Sequence, residues 1–181
     1  MTPKTYSSYG IVLARKNYGE ADRIISIYTK DFGRLSFIAK GVRKLTSRKR
    51  ASLEVFTHII FLAHRGKSLD LIVETQILDS FRSIRKSLRK VSLAYFFCEV
   101  VGRITREGEK NEELYDLFLN YLESLRNSRE LKSLRLVFIS EVLTLLGFWP
   151  RGKALPNPDS ILESVLERQL STVRVGKKLL A

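Results

Sequence analysis

In the first 80 residues, apolar positions recur every second residue or gather in short runs bounded by turn residues, which is the pattern of β-strands. Residues 9–15 form one such run, and residues 23–29 follow with the β-branched Ile24, Ile25, Ile27 and Thr29. Lys30-Asp31-Phe32-Gly33 is a turn signal, after which Arg34 and Ser36 alternate with Leu35 and Phe37 up to Lys40-Gly41, so a hairpin is predicted. Residues 55–64 make a fourth run, and His64-Arg65-Gly66-Lys67-Ser68 turns it into a fifth, residues 69–78. Five strands joined by short polar turns predict a small closed barrel, because closure removes sheet edges that would otherwise pair with other chains.

Beyond residue 80 the period becomes helical. Ile84, Leu88, Val91 and Tyr95 fall on one stripe, with Arg82, Arg85, Lys86, Arg89 and Lys90 covering the other side. Residues 93–101 of the same helix are nearly all apolar, which predicts burial. Asn111 with Glu112 and Glu113 starts a second helix carrying Leu114, Leu117, Phe118, Tyr121, Leu122 and Leu125 at spacings of three and four. Ser128 is expected to cap a third, with Leu131, Leu134, Phe138, Val142 and Leu145 along it and Gly147 and Pro150 at its end. Residues 151–158 read as a linker with two prolines. Asp159, or Ser160 with Glu163 as a capping box, then opens a last helix bearing Ile161, Leu162, Val165, Leu166 and Leu170. The fold class is therefore α+β, with a five-stranded barrel in residues 1–80 and a helical domain in residues 81–181.

Charge changes the picture more than composition does. The 181 residues are 44% hydrophobic, enough to bury a core and too many for a disordered basic tail, yet the net charge is +13. The excess is concentrated: residues 40–50 hold six basic residues and no acid, residues 82–90 hold five and no acid, and the rest of the chain has 21 basic against 19 acidic residues. Two acid-free clusters resemble a binding footprint for a polyanion. A membrane surface would also require exposed large aromatics for insertion, and none lies between Phe37 and Phe56, so nucleic acid is the better partner. The lone Cys98 excludes an intrachain disulfide and any zinc site built on two cysteines, and points to a reducing compartment. With no apolar leader at the start and no run near about 18 uncharged apolar residues, a cytoplasmic location without membrane contact is expected.

Catalytic chemistry does not emerge. Gly147 to Lys153 has the spacing of a phosphate-binding loop, but Ala154 stands where a hydroxyl would hold magnesium, Pro150 removes a backbone donor, and the stretch follows a helix. Gly66-Lys67-Ser68 has only the second half of that motif and reads as a turn. His58 and His64 stand roughly 20 Å apart on one predicted strand and cannot share a metal. Cys98 reads as a core thiol, and Arg23 beside Glu20 and Asp22 as a local ion pair. A non-catalytic binding protein without cofactor or metal is the expectation.

Three blocks carry a family resemblance. Tyr18-Gly19-Glu20-Ala21-Asp22-Arg23-Ile24-Ile25, Tyr28-Thr29-Lys30-Asp31-Phe32-Gly33-Arg34-Leu35 and Ala39-Lys40-Gly41-Val42-Arg43-Lys44-Leu45-Thr46-Ser47-Arg48 resemble, in order and spacing, the amino-terminal signature of the RecO recombination mediators. Leu145-Leu146-Gly147-Phe148-Trp149-Pro150 is similar to the family's helix ending in Leu-Gly-aromatic-x-Pro. The resemblance implies an oligonucleotide-binding (OB) barrel followed by a helical domain, in a protein of DNA repair and recombination in the bacterial cytoplasm, associated with the nucleoid. It implies annealing of complementary single strands and help in loading RecA onto DNA coated with single-stranded-DNA-binding protein, usually with RecR. Many members carry a four-cysteine zinc module after the Leu-Gly-aromatic-x-Pro element. None of those cysteines is present and the segment from Arg151 is short, so that module is expected to be absent and the carboxy-terminal region reduced.

Candidate nucleic-acid contacts are Arg34, Lys40, Arg43, Lys44, Arg48, Lys49 and Arg50 on the barrel, and Arg82, Arg85, Lys86, Arg89 and Lys90 on the first helix, for single-stranded DNA and secondarily for double-stranded DNA. The acidic, aromatic-ended tail of single-stranded-DNA-binding protein needs an apolar slot beside cations, for which Leu131, Lys132, Leu134, Arg135 and Phe138 are candidates. The alternative reading is an interaction module whose helical domain docks an acidic partner tail, with DNA contact secondary.

Overall fold

Five strands, β1 (Thr5–Tyr18), β2 (Asp22–Thr29), β3 (Gly33–Ala39), β4 (His58–His64) and β5 (Asp70–Asp79), close into a barrel in the order β1-β2-β3-β5-β4. This computed structural model describes residues 4–166. Alternation sets the inward face: Ile59, Phe61 and Ala63 of β4 are buried, with His58, Ile60, Leu62 and His64 less so. They meet Val12, Ile25, Ile27, Phe37 and Ile72 in one core. Gly10 is needed where β1 crosses that core, since a Cβ there would lie 2.4 Å from Ile27 Cγ2.

β1 is longer than its apolar run because it serves two neighbours. Its first half pairs with β4 and its second half with β2, and an irregularity between Val12 and Ala14 bends it from one to the other. The weakest seam is the parallel pairing of β3 with β5, which is two residue pairs long. Residues 40–57 lie beside it as a chain of turns, with Lys44 N–H donating to Gly41 O, Ser47 N–H to Lys44 O and Leu53 N–H to Lys49 O. Lys49 Nζ donates to Ile72 O of β5 at 3.0 Å, and the Ser52 and Thr75 hydroxyls are 2.6 Å apart, while fully buried Val42 and Leu53 join the core. The fourth strand therefore begins at His58 and not at Val55. Phe56 has a left-handed φ of 55° and Thr57 N–H bonds back to Glu54 O, so the backbone is not extended there.

Residues Thr105–Glu112, which the sequence places in the helical domain, belong to the barrel unit. They lie along its outer face: Gly108 N–H donates to Arg34 O at 2.9 Å, Arg34 Nε to Thr105 O at 3.3 Å, and the Tyr28 hydroxyl to Asn111 O at 3.3 Å. Gly33, at φ 69°, admits this segment, since a Cβ would stand 2.1 Å from Glu109 O.

The second unit is built from α1 (Arg82–Arg85), α2 (Leu88–Ile104), α3 (Glu112–Asn127, all but its first residue), α4 (Leu131–Leu145) and α5 (Pro158–Val165). Phe96 and Phe97 of α2, Tyr121 of α3 and Phe138 of α4 form its aromatic centre, with the Phe97 and Phe138 rings 4.2 Å apart. Residues 93–101 are buried as the sequence predicts, apart from Tyr95 and Glu99. The single helix expected from Arg82 is two. Lys86 closes α1, and Ser87 starts α2, its Oγ reaching Lys90 N–H at 3.5 Å and its carbonyl accepting Val91 N–H at 2.9 Å. The break shifts the phase, so of the predicted stripe Ile84 is buried but Leu88 is 72% exposed. Glu130, not Ser128, stands at the N-cap of α4, and Asn157, not Asp159 or Ser160, at that of α5, whose first turn begins with Pro158. Leu170 lies outside the described residues.

Candidate nucleic-acid interface

The basic segment emerges from β3 at Ala39 and carries six cations, which the structure sorts into two kinds. Arg43 Nη1 donates to Gly19 O at 3.2 Å and Glu20 O at 2.9 Å, its own N–H donates to Ala21 O, and Asp22 Oδ1 accepts Gly41 N–H at 2.7 Å. These bonds fasten the segment to the β1–β2 turn. Lys49, held on Ile72 O, is partly buried, and burial lowers its pKa. Lys40, Lys44, Arg48 and Arg50 are exposed. Two cations thus fix the segment and four point their charge at solvent, and Leu45 among them is 91% exposed.

Two further cations at this end of the barrel are absent from the sequence-based set. Arg15 of β1 pairs with Glu54, tying the segment's far end to the barrel. Arg23 of β2 does not form the expected pair with Glu20 or Asp22. It turns to Asn17 Oδ1 at 3.2 Å, and its pKa is lowered first by burial and then by the charges of Arg15, Arg50 and Arg43. The strand period was the available signal, because Arg23 shares a face with Ile25 and Ile27, which leaves it half-buried at the end of the barrel.

Arg34 is occupied in holding Thr105–Glu112 on the outer face of β2 and β3. OB-type barrels often bind oligonucleotides on that face. Around Tyr28 and Arg34 it is covered here, so the exposed barrel cations of the sequence-based set lie on the segment after β3.

In the helical unit Arg82, Arg85, Lys86 and Arg89 are exposed, whereas Lys90 Nζ donates to Arg126 O at 2.5 Å. The five do not share one helical face, because the chain turns at Lys86 and Ser87. The first turn of α2 has no acid, so the positive end of its dipole adds to Arg89 in attracting an anion. The candidate tail slot is not assembled at the surface. Lys132 is exposed, but Phe138 is fully buried, Leu131 is 8% exposed, and Arg135 is interior, paired with Asp159 and 4.4 Å above the Phe96 ring. Its guanidinium fastens α5 and is not open to a ligand. Among the described residues no helix is long and apolar enough to cross a membrane.

Comparison with known proteins matches residues 1–81 to the family model described as Recombination protein O N terminal, and residues 85–154 to Recombination protein O C terminal. The chain is 37% identical over 147 residues to the DNA repair protein RecO of Pelotomaculum thermopropionicum, covering 81% of this chain and 57% of that one. It is also 37% identical over 147 residues to that of Rubrobacter xylanophilus, covering 81% and 59%. To that of Dehalococcoides mccartyi it is 31% identical over 155 residues, covering 86% and 61%. The chain thus spans about three fifths of the length of these curated relatives. With a closed five-stranded barrel and a helical unit in the order of the two matched family segments, this chain belongs to the RecO family.

Proposed function

We propose that this chain is a non-catalytic protein that binds and anneals single-stranded DNA as a mediator of recombinational DNA repair in the bacterial cytoplasm. The observation that carries the reading is the basic segment of residues 40–50, where Arg43 and Lys49 are spent on backbone carbonyls so that Lys40, Lys44, Arg48 and Arg50 stand exposed on a fastened loop. A fixed row of cations neutralises phosphates irrespective of base, which is what apposing two strands requires, and needs neither nucleotide nor metal. The relatives named DNA repair protein RecO support repair as the process. Help in loading RecA onto DNA coated with single-stranded-DNA-binding protein, and association with RecR and with that protein's acidic tail, complete the proposal. Tail binding needs a surface of the helical unit other than the buried Arg135 and Phe138.

The test is a titration of labelled single-stranded oligonucleotide at several salt concentrations. Four neutralised phosphates give a slope of log K against log salt near about −3 for a single strand. Annealing of complementary strands should proceed without nucleotide or divalent metal. Absence of salt-dependent binding would refute the reading.

A further inference from the structure

Where the β1–β2 turn meets the basic segment, Arg15, Arg23, Arg43 and Arg50 gather at one end of the barrel. Arg23 lies between Asn17 on β1 and Ala39 on β3. Its Nε is used on Asn17, but its Nη1 is buried and has no hydrogen-bond partner among the described residues. Arg43 is held over the turn by its bonds to Gly19 O and Glu20 O, and Arg50, further along the same segment, is exposed. Of the charged groups that act on Arg23, three are guanidinium groups and one is an acid, Glu54, which is itself paired with Arg15.

This arrangement works against folding by itself. Like charges brought together repel, and a buried guanidinium N–H without an acceptor forfeits the hydrogen bond it had in water. An anion with several acceptor oxygens removes both penalties, and the planar fork of arginine fits the oxygens of a phosphate. We propose that Arg23, flanked by Arg43 and Arg50, forms a phosphate subsite at this end of the barrel that grips one phosphodiester of a bound strand. The subsite rests on the DNA-binding reading above and deepens it by naming where the strand is pinned. The exposed lysines then supply attraction, while Arg23 supplies a fixed, directional contact.

Fluorescence anisotropy of a labelled oligothymidylate, measured at several chloride concentrations with the full chain, tests this. Arg23→Gln and Arg50→Gln should each flatten the salt slope by about 0.7 and weaken binding about tenfold, and Lys67→Gln in the β4–β5 turn should change neither. Arg23→Lys keeps the charge but loses the fork, so it should keep the slope and still bind more weakly than wild type. Without DNA, Arg23→Gln should melt no lower than wild type; a lower melting temperature with an unchanged salt slope would make Arg23 a purely structural residue and overturn the proposal. Should Arg23→Gln fail to fold, Arg23→Lys decides: an affinity equal to that of wild type would overturn the subsite. Thermal melts in inorganic phosphate against chloride at matched ionic strength separate the two sources of phosphate. Stabilisation by inorganic phosphate that Arg23→Gln abolishes, with no change in oligonucleotide slope, would assign the site to the free ion and overturn the backbone contact. A wild-type chain that binds no oligonucleotide would defeat the DNA-binding reading itself, whereas wild-type binding with unaltered Arg23 variants would defeat only the subsite.

Discussion

Gly33 answers two demands that no side chain can meet together. Its φ of 69° is in the left-handed region, and the space where a Cβ would stand is filled by Glu109 O. Gly33→Ala should destabilise the protein by about 2 kcal/mol or more, read from the urea midpoint, and should speed amide exchange at Gly108, whose N–H bonds to Arg34 O. An unchanged midpoint would mean that the 105–112 segment yields without cost. His58, at the start of β4, carries a pH dependence. Burial lowers its pKa, so on acidification the unfolded chain takes up the proton first and stability falls, starting near the unfolded value of about 6.5 and continuing to the lower folded value. Denaturation midpoints between about pH 8 and pH 5 should fall in wild type and fall less in His58→Phe, and parallel falls would place the titration elsewhere. The turn at Gly33 was legible in the sequence as a turn. That it also had to admit a segment from residues 105–112 was not, because nothing local marks a close approach by a distant backbone.

At the scale of elements, strand and helix periods were legible and their interruptions were less so. The α1–α2 break turned on Ser87, whose capping signal was present but was outweighed by an unbroken basic and apolar pattern on either side. The short α5 shows how a helix too small to be stable alone is held. Its first-turn Asp159 pairs with Arg135 of α4, whose side chain is 6% exposed. Asp159→Asn should cost about 3 kcal/mol, because it leaves a buried guanidinium charge uncompensated, whereas the pair Arg135→Met with Asp159→Leu should come close to neutral. Equilibrium urea unfolding of the single and double variants decides this, and a double variant as unstable as the single one would show that packing, not charge, holds the helix.

For the whole molecule the informative quantity is how the charge is shared between the two units. The barrel unit carries Lys40, Lys44, Arg48 and Arg50 at its surface, and the helical unit carries Arg82, Arg85, Lys86 and Arg89. The proposed annealing brings two strands together, and each basic surface can neutralise the phosphates of one of them. Replacing Arg85, Lys86 and Arg89 together by Gln should therefore depress annealing more than it depresses simple single-strand binding. Equal loss of both activities, or loss of neither, in parallel anisotropy and annealing assays would show that the helical cations have no role of their own.

The sequence by itself determined the α+β class, the five-strand barrel, the place of the two basic clusters and the family. These follow from period, turn chemistry and charge among chain neighbours, and short-range chemistry is legible in order along the chain. Only the tertiary structure decided which cations remain available. Arg34 is spent on Thr105 O, Arg43 on Glu20 O, Lys49 on Ile72 O, Lys90 on Arg126 O and Arg135 on Asp159. Each of those partners lies more than 20 residues away. A guanidinium or ammonium group satisfies itself on whatever acceptor the fold brings within about 3 Å, and that distance is set by closure of the barrel and packing of the helices, not by neighbours in the chain.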